Sequence, residues 1–375
     1  MIEIIEVKTK KEQKEFVNFP LRLYKGVSNF VPPLYGDEMK LFNNENNNKI
    51  ADSVYFLAKE NGKTVGRIQG IIQRQYNEIH HEKRIRFTRF DSIDKQEVAD
   101  ALFKALEEYA LNHLLDTVCG PLGYSDLDRE GLLIEGFDER STFEEQYNFP
   151  YYQKLIENNG YEKEIDWVEY ELTLPEKKDD KLKRVAERTL SMNNLHVLDS
   201  SKYSKKAYIN KAKDGFFDLI DECYGKLYGV VPYTDEMKKS IIDSFMLIIN
   251  KKYLLIICDE NEKIVAAGLC FPGIGDALKK SGGKLTIPAI FRLLKLVKKP
   301  EVLDLGLIAV LPEYQQRGVN AVMLSGLFEM LDTSPTIKCL ETNLNLETNT
   351  QVQSQWKRFN SRQHKRRRSF IKKIA

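Results

Sequence analysis

The 375-residue sequence lacks features that would have placed it in several familiar classes of protein. Its five cysteines are odd in number and scattered through mostly apolar sequence, which argues against a disulfide framework and predicts buried thiols in a reducing compartment. No apolar run approaches the roughly 20 residues needed to span a bilayer. The N-terminal residues MIEIIEVKTKKEQ lack the apolar centre of a signal peptide, so we expect a cytoplasmic protein.

Metal-binding patterns are missing as well. No histidine, cysteine and acidic residues occur together at the spacing of metal ligands, and His80 and His81 stand in a polar connection where exposed side chains are expected. The sequence therefore predicts no metal site.

Acidic residues are missing from the C-terminal end of the chain. Residues 348–375 hold nine of the 57 lysines and arginines and no acid, which leaves 48 basic against 55 acidic residues in the rest, a balance of −7. Because Ser369-Phe370-Ile371 interleaves apolar residues with this charge, we predict a final edge strand whose basic side chains discourage pairing. Binding of an anionic partner is the alternative, with nucleic acid the less favoured choice.

The length predicts two domains of similar size. The charged segment from Pro175 to Asp180 breaks regular structure, so we predict domains at residues 1–175 and 176–375. Both halves show the order strand, helices, hairpin, strand, helix, strand, helix, strand, which indicates an internal duplication and an α/β (α+β) fold.

Periodicity places the elements of the first half. The predicted strands and helices lie at 2–8, 10–24, 54–72 (a hairpin turning at Asn61-Gly62), 84–90, 96–115, 117–120, 150–158 and 167–174. The tract Asn43 to Asn48 is predicted to be a surface loop, and the long loop at 121–148 is expected to pack because it carries Leu132, Leu133, Ile134 and Phe137.

The most informative stretch lies in the second half, from Glu301 to Leu331. Val302 to Val310 is an apolar run typical of a buried strand, and Arg317 to Leu331 has the apolar spacing of an amphipathic helix. The turn between them contains Gly318. Because the first N–H groups of a helix lack intrahelical partners, this turn is a candidate phosphate-binding site.

This strand, Pro312-Glu313-Tyr314 and Gln315-x-x-Gly318 at a helix start resemble motif A of the GNAT acyltransferases, which binds the pyrophosphate of coenzyme A. Asn320 stands where that family has Gly or Ala. The order of elements along most of the chain resembles bacterial proteins built from two tandem GNAT domains, each a mixed, mostly antiparallel sheet flanked by helices. The resemblance implies cofactor-binding residues at Ile308, Ala309, Val310, Gln315, Gln316, Arg317, Gly318, Val319, Asn320, Ala321 and Asn349.

The family also places a general-acid tyrosine seven residues after the asparagine that ends its fifth strand. Asn349 fits that asparagine, following a predicted strand at Thr336 to Leu346. Trp356 stands at the tyrosine position, and an indole cannot protonate a thiolate. We therefore expect Tyr314 to act as the acid and Glu341 as the base, with Asp304 and Glu347 as further candidate bases and the N–H of Val310 or a neighbour as the oxyanion donor.

The resemblance implies an N-acyltransferase that moves an acyl group, acetyl in the simplest case, from acyl-coenzyme A to a small-molecule amine. Delivery of the acyl group by an acyl carrier protein and a non-catalytic binding or scaffold role are the alternatives. In the first half the corresponding corner, Asp91-Ser92-Ile93-Asp94, has no glycine and two acids, so we expect that half to have lost coenzyme A binding.

Overall fold

The computed structural model of the protein describes residues 1–43, 49–176, 180–225 and 227–375. Residues 44–48 of the predicted surface loop and residues 177–179 of the charged segment lie outside these ranges. Within them, every helix is too short or too polar to cross a membrane.

The elements of the first half follow the predicted order with small changes of boundary. They are β1 (Ile2–Glu6), α1 (Lys10–Leu23), α2 (Tyr35–Lys40), β2 (Ala51–Glu60), β3 (Lys63–Gln73), α3 (Arg74–His80), β4 (Arg84–Ser92), α4 (Gln96–Asn112), β5 (Thr117–Gly120), β6 (Leu132–Glu135), α5 (Tyr151–Glu157) and β7 (Glu162–Thr173). The short helices α2 and α3 and the strand β6 were not predicted.

The second half also keeps its predicted order. Its elements are α6 (Lys181–Met192), β8 (His196–Val197), α7 (Lys205–Tyr224), α8 (Asp235–Phe245), β9 (Leu254–Cys258), β10 (Ile264–Pro272), α9 (Gly275–Lys279), α10 (Ile287–Lys298), β11 (Val302–Val310), α11 (Pro312–Gln315), α12 (Val319–Thr333), β12 (Cys339–Thr342), β13 (Asn345–Leu346), α13 (Thr350–Trp356) and β14 (Asn360–Lys373). The mixed α/β fold predicted from the sequence is confirmed.

Contacts divide the chain into two compact units that are not continuous in sequence. Unit 1 contains residues 1–168, 275–290 and 364–375, and unit 2 contains residues 169–274 and 291–363. The divisions fall inside β7, α10 and β14. The domain boundary expected after Pro175 stays a prediction.

Unit 1 is built on a sheet with the strand order β1-β2-β3-β4-β5-β14-β7. Strands β1 to β4 are antiparallel neighbours, whereas β4 and β5 run parallel. The helix α4 presents one fully buried apolar face, formed by Val98, Leu102, Phe103 and Leu106, to the sheet core that contains Ile68, Ile85 and Phe87. An amphipathic helix packed on a sheet is the core of this unit.

Unit 2 repeats this plan with the strand order β8-β9-β10-β11-β12 and the C-terminal end of β7 beyond β12. Its first four strands are antiparallel neighbours, β11 and β12 run parallel, and β12 pairs antiparallel with β7 through Leu340 and Leu172. The core below β11 and β12 contains Leu303, Leu324, Leu327, Leu340 and Trp356.

The prediction of a basic edge strand at the C-terminus is wrong. Strand β14 lies between β5 and β7 and pairs with β5 from Phe370 to Lys373. Its charges are neutralised inside the unit, because Arg366 and Arg368 both pair with Asp166 and the Nε of Arg367 lies 3.7 Å from Glu145 Oε2. A sequence window cannot show these partners, which lie about 200 residues away in the chain.

The C-terminal strand supplies core to unit 1, and this predicts a large effect of Phe370→Ala. Phe370 is fully buried in the main core cluster of the unit. Removing a buried phenyl ring should lower the free energy of unfolding by about 3–5 kcal/mol, through lost burial and the cavity left behind. Chemical denaturation followed by circular dichroism measures this change.

The matched control is Phe291→Ala, the same substitution at a side chain that is 70% exposed. Its expected effect is within about 0.5 kcal/mol. Equal effects of the two substitutions would contradict the burial of the C-terminal strand.

Candidate active site of unit 2

The central strand of unit 2 contains a β-bulge at Gly306. In the register of β10 with β11, Leu269 pairs with Leu307 and Cys270 with Leu305, so Gly306 is an extra residue. Up to this point β11 pairs with β12, and the last pair is Leu305 with Thr342. Since a bulge bends a strand and interrupts pairing, β11 and β12 separate beyond it.

A cavity of about 250 Å³ occupies the space next to this separation. One wall is formed by α12, whose residues Asn320, Met323, Leu327 and Met330 are spaced three, four and three apart and share a face. The other walls come from α7, β10, β11, the segment 342–346 and α13. Most of the lining side chains are apolar, and among the described lining residues none is acidic.

Beyond the bulge, the backbone of β11 faces this cavity. The hydroxyl of Tyr224 donates to the carbonyl of Ile308 at 2.9 Å and lies 3.4 Å from the Ile308 nitrogen. The carbonyl of Val310 accepts from the side-chain amide of Gln315 at 3.0 Å and from the thiol of Cys223 at 3.3 Å. Since these donors are side chains, they can turn away and release the strand edge to a ligand.

Two thiols line the cavity but are not nucleophiles. Burial raises the pKa of Cys223 to about 11. Burial, helped by the charge of nearby Asp304, raises the pKa of Cys270 to about 12. Because the thiolate is the reactive form of cysteine, both side chains stay protonated and inert near neutral pH.

The predicted glycine turn is present and opens α12. Gly318 has a φ of +84°, in the left-handed region, and α12 starts at Val319 without a side-chain cap. A Cβ at Gly318 would lie 2.8 Å from the hydroxyl of Thr189 in α6. Backbone conformation and the close approach of α6 therefore both require glycine here.

The cavity brings together part of the predicted cofactor-binding set. Its lining contains Ile308, Ala309, Val310, Gln315, Asn320 and Asn349. Gln316, Arg317, Gly318, Val319 and Ala321 lie along the turn and helix start beside it but are not lining residues. The guanidinium of Arg317 stacks on the ring of Tyr314 at 5.2 Å.

The two predicted catalytic side chains lie outside the lining. Glu341 is buried in β12, in register with Asp304 of β11 and Glu171 of β7. Tyr314 is half-buried in α11 and contacts Arg317. Their catalytic roles stay predictions.

Trp356 has a structural reason for its place. Its indole N–H donates to the side-chain carbonyl of Asn345 at 3.1 Å, and the Asn345 amide donates to the hydroxyl of Thr342 at 2.9 Å. All three residues line the cavity. The aromatic residue at this position therefore holds a buried polar chain in the cavity wall.

Tyr224, Asn345 and the bulge were not predicted from the sequence. Tyr224 is the last residue of the helix α7, and no sequence motif marks it as a site residue. The available signal for the bulge was Gly306 itself, because a glycine inside a strand often marks a bulge.

In unit 1, the region beside the parallel strands β4 and β5 is filled by protein side chains. Asp91 at the end of β4 is buried, pairs with Arg67 at 2.7 Å and accepts a hydrogen bond from Tyr24 at 2.7 Å. Beyond β5 the chain stays bonded to β4, since the N–H of Leu122 donates to the carbonyl of Phe87 at 2.9 Å. A cavity beside Asp91 measures about 20 Å³.

The predicted packing of the long loop after β5 is confirmed, and it explains why unit 1 is filled. The ring of Tyr124 is buried, and its hydroxyl lies 2.7 Å from Ser53 Oγ and 2.8 Å from the side-chain nitrogen of Gln69.

Of the two adjacent tyrosines that open α5, Tyr152 is fully buried and its hydroxyl accepts from the N–H of Ser92 at 3.0 Å.

Comparison with solved structures identifies the architecture. A structure described as a tandem GNAT protein from the clavulanic acid biosynthesis pathway matches 100% of this chain and 99% of its own, with a TM-score of 0.57 and 10% sequence identity. The chain has the tandem GNAT fold. Within this fold, the separated parallel strands and the glycine turn of unit 2 are the region that motif A was expected to form.

Two curated sequences resemble this chain at 25% identity. Protein YghO of Escherichia coli (strain K12) matches over 378 residues, covering 97% of this chain and 94% of its own. A bacterial ceramide synthase of Caulobacter vibrioides (strain NA1000 / CB15N) matches over 293 residues, covering 76% of this chain and 73% of its own. No family model matches the chain.

The described residues of the chain contain no group of three or more histidine, cysteine or acidic side chains that could hold a metal ion.

The bulge predicts that alanine substitution lowers the stability of the protein at Gly306 but not at Gly326. A Cβ at Gly306 would lie 2.5 Å from the ring of Phe271, which is itself stacked on Phe245 at 4.8 Å. Gly306→Ala should therefore lower the free energy of unfolding by about 1–3 kcal/mol, because the added methyl group overpacks the core. Denaturant unfolding of the purified variant measures the change.

Gly326→Ala is the matched control. There the new methyl group meets only the flexible end of Leu255, at 2.8 Å, and Gly326 lies inside α12. Alanine favours a helix over glycine by about 1 kcal/mol, so this variant should be as stable as the wild type or more stable. A neutral Gly306→Ala would argue against a tightly packed bulge.

Proposed function

We propose that unit 2 transfers an acyl group from an acyl thioester, delivered as acyl-coenzyme A, to a primary amine. The observation that carries the proposal is the cavity beside the separated strands β11 and β12, with strand backbone along one wall and an uncapped helix start beside it. The tandem GNAT fold supports it, because acyl-coenzyme A is the donor that this fold generally binds.

The residues present fit a coenzyme A thioester. The uncapped start of α12 offers backbone N–H groups and the positive end of the helix dipole to a pyrophosphate. Asn320 replaces the small residue of motif A, but its side-chain amide can itself donate to a phosphate oxygen. The lining contains no acidic side chain among its described residues, so nothing there repels the anion.

The apolar walls favour a donor with a hydrocarbon acyl chain over acetyl. The lining includes leucine and methionine side chains from three elements: Leu255 of β9, Leu269 of β10, and Met323, Leu327 and Met330 of α12. The similarity to a bacterial ceramide synthase supports the same view, since a ceramide is an N-acyl amide of a long-chain amino alcohol. We therefore propose a long-chain acyl donor and a lipid-like amine.

The chemical step needs two proton transfers. The amine nitrogen attacks the thioester carbonyl carbon, the carbon–sulfur bond breaks, the amine loses a proton and the departing thiolate gains one. The N–H of Ile308 faces the cavity and is placed to donate to a developing oxyanion. Glu341 stays our proposed base, accepting the amine proton through water.

Tyr224 is better placed than Tyr314 to protonate the thiolate. Tyr224 lines the cavity and holds its hydroxyl against the backbone of Ile308, whereas Tyr314 lies outside the lining. Among the described lining residues the ionisable side chains are Tyr224 and the thiols of Cys223 and Cys270, and both thiols have raised pKa values. Tyr224 can therefore act as the general acid that protonates the thiolate, which the indole of Trp356 cannot do.

Ligand binding is tested by the thermal shift of the purified protein with coenzyme A, acetyl-coenzyme A and palmitoyl-coenzyme A. A ligand at 100 times its dissociation constant adds about 2.7 kcal/mol to stability. The expected order is palmitoyl above acetyl. Gly318→Glu is a poor variant for this purpose, because its side chain would strain the backbone and meet Thr189.

Asn320→Asp and Asn320→Gly are the sharper pair of variants. An aspartate in the first turn favours the helix dipole, so the free protein should stay folded, while its charge should weaken binding of a pyrophosphate by about tenfold or more. Asn320→Gly restores the motif A pattern and should bind coenzyme A at least as tightly as the wild type. Unchanged binding in Asn320→Asp would place the phosphates elsewhere.

The acid is tested by comparing Tyr224→Phe with Tyr314→Phe in an assay that detects amide product by mass spectrometry. Tyr224→Phe should lower kcat by roughly 10²–10⁴-fold while the thermal shift with acyl-coenzyme A remains. A thioester with a more acidic thiol should restore part of the rate, because its thiolate leaves without a proton. Tyr314→Phe should keep near wild-type kcat, and the reverse result would assign the acid to Tyr314.

Failure to bind any coenzyme A thioester by a folded protein would contradict the proposed donor. Turnover with an acyl carrier protein thioester would then identify the alternative donor. Absence of turnover with both donors would favour a non-catalytic binding role.

A further inference from the structure

A second functional surface is indicated by a segment that the catalytic proposal does not use. Residues 277–300, which we call the basic segment, contain seven lysines or arginines and no acidic residue. The segment contains the helix α10, whose first turn is capped by the side chain of Thr286, which accepts from the N–H of Ala289 at 3.4 Å. The helix is therefore already formed without any partner.

The helix α10 is apolar on two sides. Ala289 and Leu293 are each only 1% exposed and attach the helix to the protein. Ile287 and Phe291 are 73% and 70% exposed, and Leu294 is 44% exposed. Because these three residues are spaced four and three apart, they form one stripe on the outer face of the helix.

This concentration of exposed apolar side chains is unusual within the chain. Twelve large apolar residues are exposed in the described ranges, and four of them, Leu285, Ile287, Phe291 and Leu294, fall within ten residues of each other. Phe291 is the aromatic member of the twelve. Apolar surface gathered in this way marks an interaction site more often than exposed single residues do.

The charges next to the stripe define the partner. Lys284, Lys295, Lys298 and Lys299 are all exposed. Lys298 follows Leu294 by four residues and Phe291 by seven, so it extends the stripe on the same face. A partner must therefore accept bulky apolar side chains and lie beside a dense array of negative charge.

An anionic lipid bilayer provides both an apolar interior for the stripe and negatively charged headgroups for the lysines. Helices that lie in the membrane interface bury an apolar stripe among the acyl chains while lysines reach the headgroups. A second copy of this chain would bring the same basic residues together across a two-fold axis, where they repel. Nucleic acid would neutralise the lysines but would leave the apolar stripe without a role.

We propose that the basic segment, through the outer face of α10, docks the protein on the surface of anionic membranes. The stripe lies on one continuous helix, and the inference is independent of the proposed acyl transfer. A protein held in this way remains peripheral, because α10 is 12 residues long and a membrane-spanning helix needs roughly 20.

Flotation with lipid vesicles tests the proposal on the full-length protein. The wild type should float with vesicles of phosphatidylcholine containing about 30% phosphatidylglycerol and should bind vesicles of phosphatidylcholine alone at least about tenfold more weakly. Raising the salt concentration should release it, because the lysine–headgroup attraction is screened. No flotation with anionic vesicles would overturn the proposal.

The stripe is tested by the triple variant Ile287→Ser, Phe291→Ser, Leu294→Ser. Since these side chains are exposed, the variant should fold like the wild type, and it should lose binding to the anionic vesicles by about tenfold or more. The matched control, Leu114→Ser with Met192→Ser, changes side chains that are 83% and 70% exposed elsewhere and should float normally. Equal flotation of the triple variant would show binding by charge alone and overturn the proposed stripe.

Insertion can be followed directly by fluorescence. The two native tryptophans, Trp167 and Trp356, are each 3% exposed, so they respond little to a surface event. The indole introduced by Phe291→Trp should shift its emission to shorter wavelength on anionic vesicles and should be quenched by lipids brominated in the acyl chains. If the same stripe variants instead convert a wild-type dimer to a monomer in sedimentation equilibrium without vesicles, the surface binds a second copy and the membrane proposal fails.

Discussion

The candidate site of unit 2 depends on the bulge at Gly306. Pairing of β11 with β12 ends at this bulge, so beyond it the backbone groups of β11 on that side are not bonded to a neighbouring strand. The bulge changes which residues turn their N–H and carbonyl groups away from β10. Ile308 and Val310 therefore point at the cavity, where Tyr224, Cys223 and Gln315 satisfy them. Strand backbone and apolar walls are brought together by this single irregularity.

The two units share one arrangement of strands but differ in what fills the space beside the parallel pair. Unit 1 has the same antiparallel strands followed by a parallel pair, but it fills the corresponding region with buried charge. Burying Asp91 and Arg67 is costly unless they are paired and fully hydrogen-bonded, and the tyrosines Tyr24 and Tyr152 complete that bonding. This network leaves a cavity of only about 20 Å³ beside Asp91. Unit 2 keeps a cavity, whose lining includes Gly268, Met323 and Leu327 and, among its described residues, no acidic side chain.

Local features were predictable from the sequence, and long-range ones were not. The strand Val302–Val310, the glycine turn and the helix after it follow from periodicity and turn chemistry, which act between neighbouring residues. The position of β14 between β5 and β7 depends on pairs about 200 residues apart. Tyr224 belongs to the site only because α7 ends against β11, 84 residues later in the chain. Glu341 stands in an apolar strand, but the distance of a strand residue from a cavity cannot be read from its neighbours in the sequence.

The same limit applies to runs of charge. In the sequence the C-terminal arginines look like the strongest basic surface of the protein, yet Arg366 and Arg368 are held by the carboxylate of Asp166 inside unit 1. The basic segment has no acid among its own residues, and its lysines Lys295, Lys298 and Lys299 stay exposed. A charge attracts a partner only when it is not already neutralised at short range. It is therefore α10, with exposed lysines beside exposed apolar side chains, that can recognise an anionic, apolar partner.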